Sequence, residues 1–273
     1  MEVRREIQRE YNPAHPNYKR WQKARDISDE RAKFIEEILS TEIIPRDLRI
    51  LDFGSGEGST SRLLSQKNFV VSLEIKSERI KKISRTESLQ PIIADGLILP
   101  FKPGSFDLIL LQDVIEHLAV SEELVKRLFH HLKEKGIIYL STPNRLSAFN
   151  IIADPHWGLS FLALFKRGQV KKYYLKFFRK SDYCREDIAE LLSLGKLYEM
   201  FIKNFTLKLC TKFSVEYLLN GGKGLVWSSF HLWLIKLVNL LRLKRLILSA
   251  SNDKPGIINK FFTPTFYIIL KKK

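Results

Sequence analysis

Three apolar runs in the first half of the chain each stop on a residue that could touch a ligand. The first runs into Leu51-Asp52-Phe53-Gly54-Ser55-Gly56-Glu57-Gly58-Ser59. Glycines at a strand-to-helix turn let the backbone bend sharply and approach a ligand that a Cβ would exclude, and the helix that follows offers unpaired N–H donors. The turn is a candidate cofactor cradle, the alternative being an ordinary tight turn, and glycine spacing alone does not decide between them. Glu74 ends the second run, 18 positions after Gly56, where an acid at a strand tip can accept both ribose hydroxyls of an adenosine. Asp95 ends the third, in Ile92-Ile93-Ala94-Asp95-Gly96; it could bond an adenine amino group, with the neighbouring backbone at Gly96 completing the base site. Taken singly, Glu74 reads as a solvated strand-end carboxylate and Asp95 as a turn residue. Together the three stops converge on one crevice, because ligands of open α/β sheets bind at the carboxyl ends of the strands.

A second constellation follows the fourth apolar run, in Gln112-Asp113-Val114-Ile115-Glu116-His117. An unperturbed imidazole titrates near neutral pH, which makes His117 a general-base candidate, the alternative being that Glu116 and His117 brace the next helix. Asp113, Glu116 and His117 have i, i+3, i+4 spacing, which on a helix puts all three on one face, as a divalent-metal set or as a brace. Further on, Asp154-Pro155-His156-Trp157-Gly158 could line an acceptor pocket, with Trp157 stacking on a ring or sugar face, or form a turn packed by that tryptophan.

The elements that must position these residues show in the hydropathy pattern. RILDFG, VVSLEI, PIIADG, FDLILLQDV and GIIYLSTPN alternate with candidate helices at residues 59–66, 77–84 and 121–133. Strands apolar throughout and separated by helices predict a doubly wound, mostly parallel α/β sheet covered on both faces. Residues 1–48 predict a helical cap, with Phe34, Ile35, Ile38 and Leu39 on one face and Ser28 as N-cap. The organisation expected is a single domain: the cap, a core at 49–144, substrate-side helical insertions at 145–184 and 219–262, and the rest of the core at 185–218 and 263–273. Within the last parts, residues 185–194 predict a helix, and 206–215 and the terminal FYIILKKK predict strands.

The chain has 273 residues, and its formal charge of +16 predicts attraction to anions without choosing among them. Its two cysteines, Cys184 and Cys210, lack CxxC pairing, which argues against a zinc site or a disulfide framework. MEVRREIQRE alternates charges where a secretory signal would need an apolar core, so the expected compartment is the cytoplasm.

The segments LDFGSGEGS, SLEI, IIADGLILPF, FDLILLQDVIEHL and GIIYLSTPN resemble the class I S-adenosylmethionine-dependent methyltransferases across nearly all of residues 49–144. The resemblance implies a Rossmann-like fold with S-adenosylmethionine as cofactor. It places the methionine part on Gly54 and Gly56, the ribose on Glu74 and adenine on Asp95 and Gly96, with Asp52 supporting the loop. The 112–117 segment is similar to that of quinone-biosynthesis O-methyltransferases, where acids and a His can hold a metal. The run from Thr142 to Gly158 resembles a branch of small-molecule and cell-envelope methyltransferases. A nicotinamide enzyme would show GxGxxG, whereas here position 59 is Ser and the third glycine comes one residue early, at Gly58. Methyl transfer is an in-line displacement needing alignment and, for a hydroxyl, removal of a proton, which makes His117 the base candidate.

The expected acceptor is a small molecule, lipid or glycan. Nucleic acid fits less well, since no Asn/Asp-Pro-Pro-aromatic loop follows the fourth strand and no Pro-Cys nucleophile is present; ribose methylation of RNA is the alternative. A non-catalytic module binding a membrane or partner is another. Residues 225–248 return Lys236, Asn239, Arg242 and Arg245 every three positions in an apolar background, a basic amphipathic pattern that predicts peripheral attachment to an anionic membrane, with Trp227 and Trp233 at headgroup depth. The alternative for that segment is a lid over the acceptor pocket.

Overall fold

The computed structural model describes residues 11–96, 98–118, 122–183, 185, 188–226 and 229–273. The apolar runs form β1 (Arg49–Phe53), β2 (Phe69–Glu74), β3 (Leu89–Ile93), β4 (Phe106–Gln112) and β5 (Leu132–Pro143), joined by β6 (Phe205–Leu209) and β7 (Thr265–Lys272). They make one sheet in the order 3-2-1-4-5-7-6. The first five strands are parallel, and β7 runs antiparallel between β5 and β6. This is the doubly wound, mostly parallel sheet expected of a Rossmann-like methyltransferase fold. Strand order reverses between β1 and β4, which opens a crevice at their carboxyl ends.

Successive strand residues point to opposite faces, so an unbroken apolar strand needs cover on both. One face, with Leu51, Ile109, Leu111, Ile138 and Leu140, packs under α5 (Glu122–His131) and α7 (Leu194–Phe201). The other, with Ile50, Leu108, Leu110, Tyr139 and Ile269, packs under α2 (Ser28–Ser40) and α8 (Thr211–Leu219). Phe34, Ile35, Ile38 and Leu39 of α2 are fully buried, as their spacing predicts. The expected N-cap is displaced by one residue: Ile27 caps α2, and the Ser28 hydroxyl accepts from that of Ser59 at 2.9 Å. That bond ties the cap to α3 (Ser59–Leu64), the helix that follows the glycine turn.

Two expected elements are corrected. The described residues of 185–193 hold no helix. Leu192 bridges Asn144, and α7 starts at Leu194, where the Ser193 hydroxyl caps the Lys196 N–H. The expected strand over 206–215 ends at Leu209. Its second half opens α8, whose Lys212 N–H is bonded to Asp253, 41 residues away.

The 145–184 insertion opens with α6 (Ala148–Ile152) and includes an irregular helical stretch over residues 167–178. It has a small core of its own, where Trp157, Leu162, Val170 and Leu175 pack with Ile188. In the later insertion the basic amphipathic stretch is helical in two pieces, α9 (Ser229–Leu240) and α10 (Lys244–Ala250), separated by a turn in which Arg242 is left-handed, at φ 56°. Cys184 and Trp227 lie outside the described residues. Among the described residues no helix is long and apolar enough to cross a membrane.

Candidate active site

The turn after β1 is held by its own backbone. The N–H groups of Gly54 and Ser55 both donate to the Leu73 carbonyl, at 2.8 and 3.0 Å. Gly54 has φ 74°, and a Cβ there would stand 2.6 Å from Cγ2 of Val114. Gly56 has φ 58°, and nothing lies within 4 Å of where its Cβ would be, so the turn leaves open space in front of it. Beneath it, buried Asp52 sits 2.5 Å from the Ser61 hydroxyl, which also lies 3.0 Å from that of Ser72, pinning α3 to β1 and β2. Burial pushes the Asp52 carboxyl up to about 6, against the lowering effect of the Ser61 bond.

Glu74 faces the same turn from the tip of β2. It is buried, Oε2 accepting the Gly56 N–H at 3.0 Å and Oε1 the Lys76 N–H at 3.0 Å. Each carboxylate oxygen keeps a second lone pair, so the ribose role expected of Glu74 is compatible with these bonds. Asp95 stands exposed on the turn after β3, its carbonyl accepting from the Ile98 N–H. Gly96 beside it is buried, with the Phe53 ring where a Cβ would go. The three strand stops therefore share one sheet edge.

The turn after β4 is built differently. The helical face expected for Asp113, Glu116 and His117 does not form: Asp113 is left-handed at φ 52°, and residues Ile115–His117 make a single 3-10 turn. The Asp113 carboxylate turns instead to Arg31 of α2, at 3.1 Å, and to the Ser141 hydroxyl, at 2.9 Å. His156 takes its place in the cluster. Ligand-capable atoms of Glu116, His117 and His156 lie within 4.8 Å of one another, and the two imidazoles meet edge to face at 5.3 Å. Glu116 is 1% exposed. Its Oε2 accepts from Thr142 at 2.9 Å, while Oε1, 3.8 Å from His156 Nε2, accepts no hydrogen bond among the described residues. Burial, and then the Asp113 charge, push the Glu116 carboxyl up to about 8.

These groups line a pocket. Asp113, Glu116, His117 and Pro143 share it with Pro155, His156, Trp157 and Ala189, and Arg20, Trp21, Ala24 and Arg185 complete it. The 154–158 turn is packed by its tryptophan and also lines this pocket. Asp154 accepts the N–H groups of His156 and Trp157 at 2.9 and 2.8 Å, and Trp157 packs into the small insertion core while lining the pocket. Arg20 of α1 (Tyr18–Asp26) donates to the carbonyls of Asp154 and Pro155 at 2.9 and 2.8 Å, clamping the cap onto that turn. The Arg185 guanidinium lies 5.2 Å from the Trp157 ring centre and 5.8 Å from that of Trp21. Arg20, Trp21 and Arg185 were not expected from the sequence. The available signal was a tryptophan in a charged helix that buries none of its own residues.

With this geometry in hand, residues 18–186 match the family model described as a methyltransferase domain. The chain belongs to that family. The methyltransferase is 27% identical over 191 residues to a ubiquinone biosynthesis O-methyltransferase of Azoarcus sp., an alignment covering 64% of this chain and 78% of that enzyme. It is 28% identical over 127 residues to a glycine/sarcosine/dimethylglycine N-methyltransferase of Actinopolyspora halophila, covering 43% of this chain but only 22% of the relative. The chain thus spans about a fifth of that relative's length. A Thermotoga maritima structure described as a possible histamine N-methyltransferase superposes with a TM-score of 0.55 at 15% identity, over 100% of this chain and 99% of that one, which shows the shared fold. The match makes residues 18–186 a methyltransferase domain, and its fold is shared with a structure described as an S-adenosylmethionine-dependent methyltransferase. The residues present fit that cofactor, with open space before Gly56 and a buried acid opposite it.

Proposed function

We propose that the methyltransferase methylates a hydroxyl oxygen of a small-molecule, lipid or glycan acceptor held in the pocket beyond β4. The observation that carries this reading is the convergence of His117, His156 and buried Glu116 in a pocket lined by Trp157 and completed by Trp21. S-adenosylmethionine, when bound, supplies an electrophilic methyl group, so the chain's task is to align an acceptor and take its proton. His117 is the base for that proton, and Glu116 and His156 fix its surroundings. Trp21 and Trp157 offer faces for a flat ring or sugar, and the Arg20 clamp holds the cap over the site and limits water. Gly54, Gly56, Glu74, Asp95 and Gly96 hold the cofactor, and Asp52 supports the turn from below. Similarity to a protein named as a ubiquinone biosynthesis O-methyltransferase supports an oxygen acceptor of the quinone-precursor kind.

Glu116, His117 and His156 also form a set that a divalent cation could take, and a cation there would polarise the acceptor oxygen in place of a base. One experiment addresses both readings. Protein incubated with methyl-labelled S-adenosylmethionine and cell fractions should place label in lipid, glycan or small-molecule extracts as alkali-stable ethers. Label confined to RNA or protein would overturn the acceptor class. Loss of transfer on adding a chelator, restored by a divalent cation, would favour the metal over the free base.

A further inference from the structure

We propose that the α9–α10 segment docks the protein on an anionic membrane surface, with the leucines in and beside its connecting turn entering the bilayer interface. No Asp or Glu occurs between Glu216 and Asp253, while Lys223, Lys236, Arg242, Lys244 and Arg245 do. α9 has two faces with different fates. Its inner face is occupied: His231 packs by Phe149 at 6.3 Å, and Lys23 of α1 donates to Ser229 at 2.9 Å. Its outer face leaves Trp233 56% exposed and Leu240 78% exposed around Lys236. The turn continues this face. Leu241 is 55% and Leu246 64% exposed, with Arg242 and Arg245 exposed among them. The display is ordered, since the N–H groups of Leu241 and Leu243 are bonded to the carbonyls of Leu237 and Val238 at 2.9 and 3.0 Å.

The inner side is tied to α1, whose Arg20 and Trp21 complete the pocket, through the Lys23–Ser229 bond, and the outer side exposes Trp233 and Leu240. A protein partner would bury a patch depleted of charge at its centre, but here cations alternate with leucines through the turn. That alternation suits an interface, where leucines reach the acyl boundary and the longer cations snorkel to headgroups. Positive charge without a single acid over this stretch complements anionic lipid. Neither helix is long enough to span: α9, the longer, has 12 residues, about 18 Å at 1.5 Å per residue, against a hydrocarbon core of about 30 Å.

The test is flotation of the full-length protein with phosphatidylcholine vesicles, with and without phosphatidylglycerol, at low and high salt. Wild type should float with the anionic vesicles at low salt and lose that binding as salt rises. Leu241→Asp combined with Leu246→Asp alters exposed positions only, and should weaken vesicle partitioning at least about tenfold with melting temperature and S-adenosylmethionine affinity unchanged. Arg242→Glu with Arg245→Glu should weaken binding to anionic vesicles alone. Absence of flotation with either vesicle at low salt would overturn the proposal, as would equal flotation of the Asp variant. So would a concentration-dependent dimer, or retention on RNA, that the Asp variant abolishes without any change in vesicle binding.

Discussion

The turns that follow β1 and β4 lie side by side, with Gly54 packed against Val114, yet they are built on opposite principles. In the first, glycines take left-handed backbone, and the carboxylate of Glu74 is bonded to backbone N–H groups from elements within the same 25 residues. In the second, a non-glycine residue is left-handed, a fully buried carboxylate keeps one oxygen unbonded among the described residues, and the neighbours come from far along the chain. Arg31 reaches Asp113 across 82 positions, and Asn17 reaches the His156 carbonyl across 139. The turn after β1 is a local device, built from residues close together in the chain. The turn after β4 is assembled by the N-terminal cap and the 145–184 insertion, and on the proposed reading it is where the acceptor would be chosen.

If the two turns are separable, damage to one should leave the other working. The largest effect is expected from Gly56→Val, which adds a side chain to the open space before the turn and forces a β-branched residue to φ 58°. Calorimetry should detect no S-adenosylmethionine or S-adenosylhomocysteine binding to it, whereas flotation with anionic vesicles should be as in wild type. Binding within tenfold of wild type would place the cofactor elsewhere. A smaller loss is expected from Glu74→Ala. Cofactor affinity should fall by about 1 to 3 kcal/mol, the range for leaving hydroxyls without a partner, and an unchanged affinity would remove Glu74 from the ribose site.

How much of this was legible in the sequence follows the same division. Strands β1 to β5 show as apolar runs because both faces are covered, and Gly54, Gly56 and Glu74 show because their spacing along the chain is their spacing in space. The 185–194 segment misleads because its pattern suits a helix, but tertiary bonds decide otherwise. The Glu190 N–H is bonded to the Glu116 carbonyl at 2.8 Å, and the Arg145 N–H to that of Leu192 at 3.0 Å, which ties the described part of the segment to the turns after β4 and β5. Strand β6 ends early for a similar reason, since the start of α8 is capped by distant Asp253. Trp21 and Arg185 are brought together only by folding, so no local pattern marks them as a pocket wall. His156 replaces Asp113 beside Glu116 because Arg31 holds the aspartate away.

The smallest expected effect lies in the pH dependence of stability. Glu116 holds its proton in the folded protein up to about pH 8, above the ordinary 4.5. The folded state therefore binds the extra proton between those values, so this contribution to stability is full below about pH 4.5 and is lost as pH rises toward 8. Glu116→Gln removes the dependence. Its melting temperature should gain on that of wild type by a few degrees from pH 5 to pH 8, measured with chelator present. A difference that is constant across this range would mean that Glu116 is ionised when folded.

The separation of the two turns is tested most directly by one variant with two readouts. His117→Ala removes the proposed base without touching the glycine turn. Its S-adenosylmethionine affinity by calorimetry should stay within about twofold of wild type while methyl transfer to the labelled acceptor falls by about two to four orders of magnitude. Parallel loss of cofactor binding and transfer would contradict the account, making His117 a brace for the whole sheet edge and leaving the acceptor side without its base.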